Sequence, residues 1–414
     1  MADGSTDVIS TDLRVDGDRL WSTIHALAEI GATPAGGVAR VALTDADRAG
    51  RDRFVAWATE LGCSIHIDRI GNLFARYEGT DPDRAPVVIG SHLDSQPTGG
   101  RYDGAYGVMV GLEVLRVLHD AGRRLAAPIE VVSWTNEEGA RFPPAMLGSG
   151  VFAGAIGLEA GLGSTSMDGT VLVDELLRIG YSGPEPVGSR PIGHYVEPHI
   201  EQGPILEAGD HTIGIVTGVQ GIRWYDVAIT GRESHAGSTP MDRRSDAMVA
   251  AAALVVAADR IARDRGPGGR ATVGVLEASP GSRNTVAGSV RMTVDLRHPD
   301  AEVLAGMHDE LLAVAEGLSP RPVVDQIWYS PPIVFDTDIS SALRDGAIAA
   351  GFDPVDITSG AGHDACYIAG VAPAGMVFIP CADGLSHNEA ESIEHEHAVA
   401  GAEVTLRAVL TLGA

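Results

Sequence analysis

Residues 85–107 read APVVIGSHLDSQPTGGRYDGAYG. The first six are apolar and partly β-branched, the pattern of a buried strand. Residues 107–120, GVMVGLEVLRVLHD, carry apolar side chains at helical spacing. Between strand and helix stand His92, Asp94 and Asp103, among glycines at 99, 100 and 104. A strand that passes through a polar turn into a helix is one step of an α/β layer. Open α/β sheets place their sites just beyond the carboxyl ends of their strands. A turn needs neither that histidine nor those aspartates, whereas both residue types serve as metal ligands.

The same texture extends outward. Residues 18–31 and 44–61 have helical periodicity, with Thr44 as the N-cap of the second and Asp45 and Asp47 in its first turn. CSIHIDRIGNLFARYEG and PIEVVSW read as strands, the latter running into TNEEG. This alternation predicts an α/β fold with a mostly parallel sheet. Residues 160–190 read as loop around one short helix, VLVDELLRIG.

From about residue 219 the pattern changes. GIRWYDVAITG is a strand, SDAMVAAAALVVAADRIARDR a long helix, and RATVGVLEA and SVRMTVDLRHP a strand pair. AEVLAGMHDELLAVAEGL is a second helix. We expect this segment to close as a smaller α+β domain, inserted at 219–330 into a catalytic domain made of 1–218 and 331–414. At 414 residues, two domains are the default.

Composition narrows the partners. The formal net charge is −26, and every basic residue is arginine. That balance argues against nucleic-acid binding and against anionic membranes. It does not oppose a small anionic substrate, because one local arginine can override the mean field. No apolar run is long enough to span a bilayer, and the start of the chain is polar and acidic rather than signal-like. Cys63, Cys366 and Cys381 form no CxxC pair and read as free thiols. A cytoplasmic protein is expected.

Four segments concentrate the chemistry: SHLDSQPTGGRYDG, TNEEGARF, PHIEQGP and DGLSHNEAE. They supply His92, Asp94, Asp103, Glu137, Glu138, His199, Glu201, His387 and Glu389. Each alone also fits a solvated turn. Together they form a histidine–carboxylate set without cysteine, which suits a catalytic ion rather than a structural zinc.

These segments resemble those of the M20-type metal-dependent amidohydrolases. The branch is that of N-carbamoyl-L-amino acid hydrolases, β-ureidopropionases and allantoate amidohydrolases. The resemblance rests on GSHLDSQPTGGRYDG, WTNEEGARF, HIEQGPILE, IGIVTGVQG, HAGSTPMDRRSDA, NTVAG, DLRHP, SGAGHDA and IPCADGLSHNEAE, in that order. It implies a mixed-sheet metallohydrolase domain with an inserted lid and dimerisation domain. It also implies two divalent ions per subunit (zinc, manganese, cobalt or nickel) bridged by Asp103. One ion would lie on His92 and His199, the other on Glu138 and His387. Asp94 would fix the His92 imidazole, and Glu137 would be the general acid and base.

On the substrate side the resemblance implies His235, reaching across a homodimer interface to the developing oxyanion. Gln202, Asn284, Arg297, Gly360 and Ala361 would contact substrate, with Arg297 on its carboxylate. Read from the residues alone, Arg297 is instead an ion-pair partner of Asp295 or Asp300, and His235 a turn histidine. The implied reaction is hydrolysis of an N-carbamoyl amino acid of the L-α or β-alanine type. Allantoate hydrolysis is the alternative; a metallopeptidase or a relict binding protein is further off. DGAYG at the bridging aspartate, and His199 where peptidases carry a carboxylate, favour the ureido-cleaving branch.

Overall fold

The computed structural model describes residues 13–414. The expectation drawn from the polar start of the chain falls mostly on residues 1–12, outside the described residues. The chain forms two compact units. One runs through Thr217 and resumes over Phe335–Ala414, and the other is Gly218–Val334.

The sheet of the first unit is mixed. Its strands lie in the order Ser64–Ile67, Leu73–Tyr77, Ile129–Trp134, Val87–His92, His194–Ile200, Ala374–Ile379 and Gly214–Val219, and Val355–Ser359 also pairs with the last. The four strands from Ile129–Trp134 to Ala374–Ile379 are parallel, and the flanking pairings are antiparallel. The mixed sheet that the resemblance implies is what forms, and the mostly parallel sheet read from the alternation is corrected to a parallel centre with antiparallel margins. Loop length explains the outermost of these pairings. Parallel neighbours need a crossover of a dozen residues or more, and the helix Ala105–Asp120 provides one between Val87–His92 and Ile129–Trp134. Ser64–Ile67 and Leu73–Tyr77 are joined only by a tight turn, in which the Asp68 carboxylate accepts from the main-chain N–H of Ile70 and Asn72. A turn that short permits only the antiparallel pairing.

Val87–His92 is buried along its whole length, as a strand covered on both faces must be. The helix Ala105–Asp120 packs on it, buried from Ala105 to Leu115 without a break. Helix Asp45–Glu60 starts as its sequence predicts, with Thr44 Oγ1 accepting from Asp47 N at 3.3 Å. Its inner face carries a buried ion pair, Arg51 Nε to Asp47 Oδ2 at 3.0 Å. The same guanidinium donates to Gly71 O and to Thr135 Oγ1, two residues before Glu137. Removing the cation would strand a buried carboxylate. Arg51→Ala is expected to lower unfolding stability by about 3–5 kcal/mol in urea titration. A loss below about 1 kcal/mol, the size of an exposed pair, would show that water or relaxation replaces the guanidinium.

In the second unit the strands Leu276–Ser279, Ser289–His298, Gly221–Thr230 and Pro322–Ser330 lie in that order and are antiparallel. Burial alternates along them. Tyr225, Val227 and Ile229, then Val290, Met292, Val294 and Leu296, face inward. They pack with Leu254, Ala258 and Ile261 of helix Ala247–Arg263, and with Leu304, Met307 and Leu311 of helix Ala301–Gly317. Asp246 and Asp300 cap these helices. RATVGVLEA, read as one strand, divides into Arg270–Thr272 and Leu276–Ser279, each paired with a different part of Ser289–His298. Where the chain enters and leaves this unit, Gly218 and Val219 pair with Val334 and Ile333. Among the described residues no helix is long and apolar enough to cross a membrane, and all three cysteines are free.

Candidate metal centre

The parallel strands of the first unit deliver the histidines. His92 is the last residue of Val87–His92, and His199 lies next to the end of His194–Ile200. Each imidazole is fixed by a carbonyl. His92 Nδ1 lies 2.8 Å from Asp94 O, and His199 Nδ1 lies 2.9 Å from Ile200 O. A carbonyl oxygen only accepts, so each Nδ1 carries the hydrogen and each Nε2 presents a lone pair.

Both Nε2 atoms face Asp103 Oδ1, His92 at 3.7 Å and His199 at 3.3 Å. The other oxygen, Asp103 Oδ2, lies 3.4 Å from His387 Nε2, which is 3.3 Å from Glu138 Oε2. Thus His92, Asp103 and His199 form one group of converging donors, and Asp103, Glu138 and His387 a second. Lone pairs aimed at a carboxylate oxygen repel unless a cation or protons stand between them. The donor set therefore fits divalent cations. The fold brings all five residues expected as ligands together.

The loops explain how. Gly104, at φ +63°, has the imidazole of His92 where a side chain would begin: a Cβ there would meet the ring at 2.3 Å. The chain can then pass beneath the histidine and turn Asp103 back toward it. His387 and Asn136 also adopt positive φ, uncommon for residues with a side chain and frequent at functional sites. Gln96 grips Glu138 twice, through its main-chain N–H at 3.1 Å and its side-chain amide at 2.6 Å.

Asp94 meets the His92 imidazole as expected, but through its main chain. Its carbonyl, not its carboxylate, orients His92; the nearest carboxylate oxygen is 3.9 Å from Nδ1. The carboxylate instead accepts from the main-chain N–H groups of Glu137 and Glu138, both at 3.2 Å. Asp94 thus shapes the loop that carries the two glutamates. The reason is local: the turn after His92 brings the carbonyl against the ring and aims the side chain at the next strand end.

Glu137 lies beside the donors without joining either group, its Oε2 3.5 Å from His92 Nε2. Burial pushes its carboxyl well above the ordinary range, and Asp364, Glu138, Asp94 and Asp103 push it the same way. Glu138 is raised by burial and by Asp103, against the pull of Gln96. Burial lowers His92 to about 4, with Asp103 opposing. Burial would raise Asp103, but protons on the Nε2 atoms of His199, His92 and His387, where no cation stands between, outweigh that and hold it low.

Of the expected substrate contacts, Gln202 is at this centre. Its amide donates to Asp103 Oδ2 at 2.9 Å, while its Oε1 is buried without a partner. Gly360 and Ala361 follow strand Val355–Ser359, where Ser359 Oγ accepts from Ala361 N. His235, Asn284 and Arg297 belong to the second unit. His235 and Asn284 adjoin there, since Ser234–His235 pairs with Thr285–Val286 and Ala236 N donates to Asn284 O. His235 Nδ1 accepts from Gly237 N and Ser238 N, so the proton of the neutral ring is on Nε2. Arg297 clasps Asp295 through Nε and Nη2, the ion pair that the residues alone suggest.

Two acids have plainer roles. Glu201 accepts from Ile205 N and Leu206 N at the start of a short helix, and Asp364 bonds Ser149 Oγ. A third donor group, Glu197, His199 and His363, also converges. There the His363 ring is engaged elsewhere, its Nε2 lying 2.9 Å from Ser359 Oγ. Gln96, Ser386 and Glu391 escaped the sequence reading, although all three stand inside the quoted motifs.

Residues 88–411 match the model described as peptidase family M20/M25/M40. The chain belongs to this family. It is 47% identical over 401 residues to an N-carbamoyl-L-amino-acid amidohydrolase of Rhizobium meliloti, covering 96% of both chains. It is 33% identical to an allantoate amidohydrolase of Bacillus subtilis, covering 89% of this chain and 91% of the relative. A crystal structure of a hydantoinase/carbamoylase-family amidase from Burkholderia multivorans superposes with a TM-score of 0.93 at 53% identity, covering 97% and 98% of the two chains. This member of the family is an enzyme, an amidohydrolase, and the mixed α/β architecture is that of its solved relatives.

Proposed function

We propose that the chain hydrolyses the carbamoyl C–N bond of an N-carbamoyl-L-amino acid, using two divalent ions. Water and R–NH–CO–NH2 give R–NH2, carbon dioxide and ammonia. The observation that carries this reading is Asp103, one carboxylate shared by two converging donor groups beside a buried glutamate that binds neither. His92, Asp103 and His199 would hold one ion, and Asp103, Glu138 and His387 the other. Ions so held supply Lewis acidity toward the ureido oxygen and make water a stronger nucleophile near neutral pH.

The chain's own groups do the rest. Glu137, kept proton-avid by burial, takes a proton from the attacking water and passes it to the leaving nitrogen. The buried Gln202 Oε1 accepts from a ureido N–H. His235, with its hydrogen on Nε2, donates to the oxygen on which negative charge develops. Asn284, Gly360 and Ala361 line the substrate. Arg297, oriented by Asp295, binds the substrate carboxylate. In this reading the second unit is a lid and the dimerisation domain, and His235 serves the partner subunit's site.

The relative at 47% identity favours an N-carbamoyl-L-amino acid as substrate, and the relative at 33% keeps allantoate as the second reading. The test is ammonia release by zinc- or manganese-loaded enzyme. The panel would hold N-carbamoyl-L- and D-amino acids, N-carbamoyl-β-alanine, allantoate and a dipeptide. Turnover of one or more N-carbamoyl-L-amino acids is expected, with the D forms and the dipeptide inert. Turnover of allantoate alone would replace the proposal with the second reading.

A further inference from the structure

Glu391 has no part in the chemistry above, yet it is buried, 4% exposed, at the end of the segment that carries His387. Its Oε1 accepts from the main-chain N–H of Tyr102 at 2.9 Å and of Asp103 at 3.1 Å. Its Oε2 lies 2.9 Å from Ser386 Oγ, which is also 2.9 Å from Asp103 Oδ2. One carboxylate thus holds the backbone of the shared aspartate and the neighbour of His387. The opening stretch keeps room for it: a Cβ on Gly100 would stand 2.0 Å from Glu391 Oε1. That steric fact is independent of the hydrogen bonds and points to the same lock.

We propose that Glu391 is a positioning residue that fastens the Asp103 loop to the His387 loop. It thereby sets the affinity of the donor group Asp103, Glu138 and His387 for its ion. This rests on the two-ion reading above. The other group depends on it less, because His92 and His199 are set by carbonyls at the ends of buried strands. His387, by contrast, sits half-exposed on a loop, and Glu391 ties its neighbour Ser386 to the Asp103 backbone.

The test is zinc titration of the metal-free full-length protein against a competing chelator, with circular dichroism to follow the fold. Wild type should take up two ions. Glu391→Ala should keep the tighter ion and bind the other about 10–100-fold more weakly. Excess zinc should then restore kcat, which a general structural defect would not permit. Glu391→Gln keeps an oxygen for the two N–H groups and an amide for Ser386, and should recover most of the affinity. If Glu391→Ala does not fold, Gly100→Ala, which displaces the carboxylate, should weaken the same ion. Equal affinity for both ions in Glu391→Ala and wild type would overturn the inference, as would equal weakening of both. Uptake of fewer than two ions by wild type would instead overturn the two-ion reading, and the inference with it.

Discussion

Glu137→Gln is expected to lower kcat about a thousandfold, the middle of the range for a general acid–base catalyst. Glutamine keeps the size and hydrogen-bonding reach of the side chain but can neither take nor give the proton. The site should otherwise survive. Glu137 belongs to neither converging donor group, and the bond from its main-chain N–H to Asp94 does not involve its carboxylate. Zinc content should therefore match wild type and KM change little. Retention of near wild-type turnover with zinc bound would remove Glu137 from the mechanism. The variant also probes assembly. Mixed with His235→Ala subunits, themselves inactive, it should regain part of the activity if His235 serves the partner subunit's site. Failure to recover after subunit exchange would place His235 in its own subunit's chemistry.

Asp103→Ala is expected to abolish uptake of both ions, because the two donor groups share this one carboxylate. Lewis-acid catalysis contributes several kcal/mol, so kcat should fall by roughly a thousandfold or more. The contrast with Glu391→Ala is the useful part. Loss of the shared ligand removes both ions, whereas loss of the lock weakens one. Two zinc ions retained by Asp103→Ala would show that the carboxylate bridges nothing.

Much of the centre was legible in the primary structure, for a physical reason. Strands buried on both faces must be apolar, so a histidine or carboxylate at their ends stands out, as His92 does after APVVIG. Arg297 shows where such reading stops. The residues alone pair it with Asp295 or Asp300, and it does clasp Asp295; a role toward substrate is implied only by the motif around it. Asp94 shows a second limit. Spacing places it next to His92, but only the path of the turn decides that its carbonyl meets the ring and its carboxylate the Glu137–Glu138 backbone. Glu391 shows a third. It lies inside a recognised motif, yet its partners Tyr102 and Asp103 are 288 or more positions away in the chain.

The amino-acid sequence by itself determined the α/β character, the change of texture in the middle of the chain and the nine candidate site residues, which reside in local periodicity and in residue type and need no partner to be read. The choice of five donors among the nine came from the family resemblance that the motifs carry. Only the tertiary structure decided that the sheet is parallel at its centre and antiparallel at its margins. It also decided that Asp103 divides its two oxygens between two donor groups, that Asp94 serves the glutamate loop, and that Glu391 locks two loops together. Each of these depends on which distant backbone a side chain meets, and that is settled by packing rather than by order along the chain.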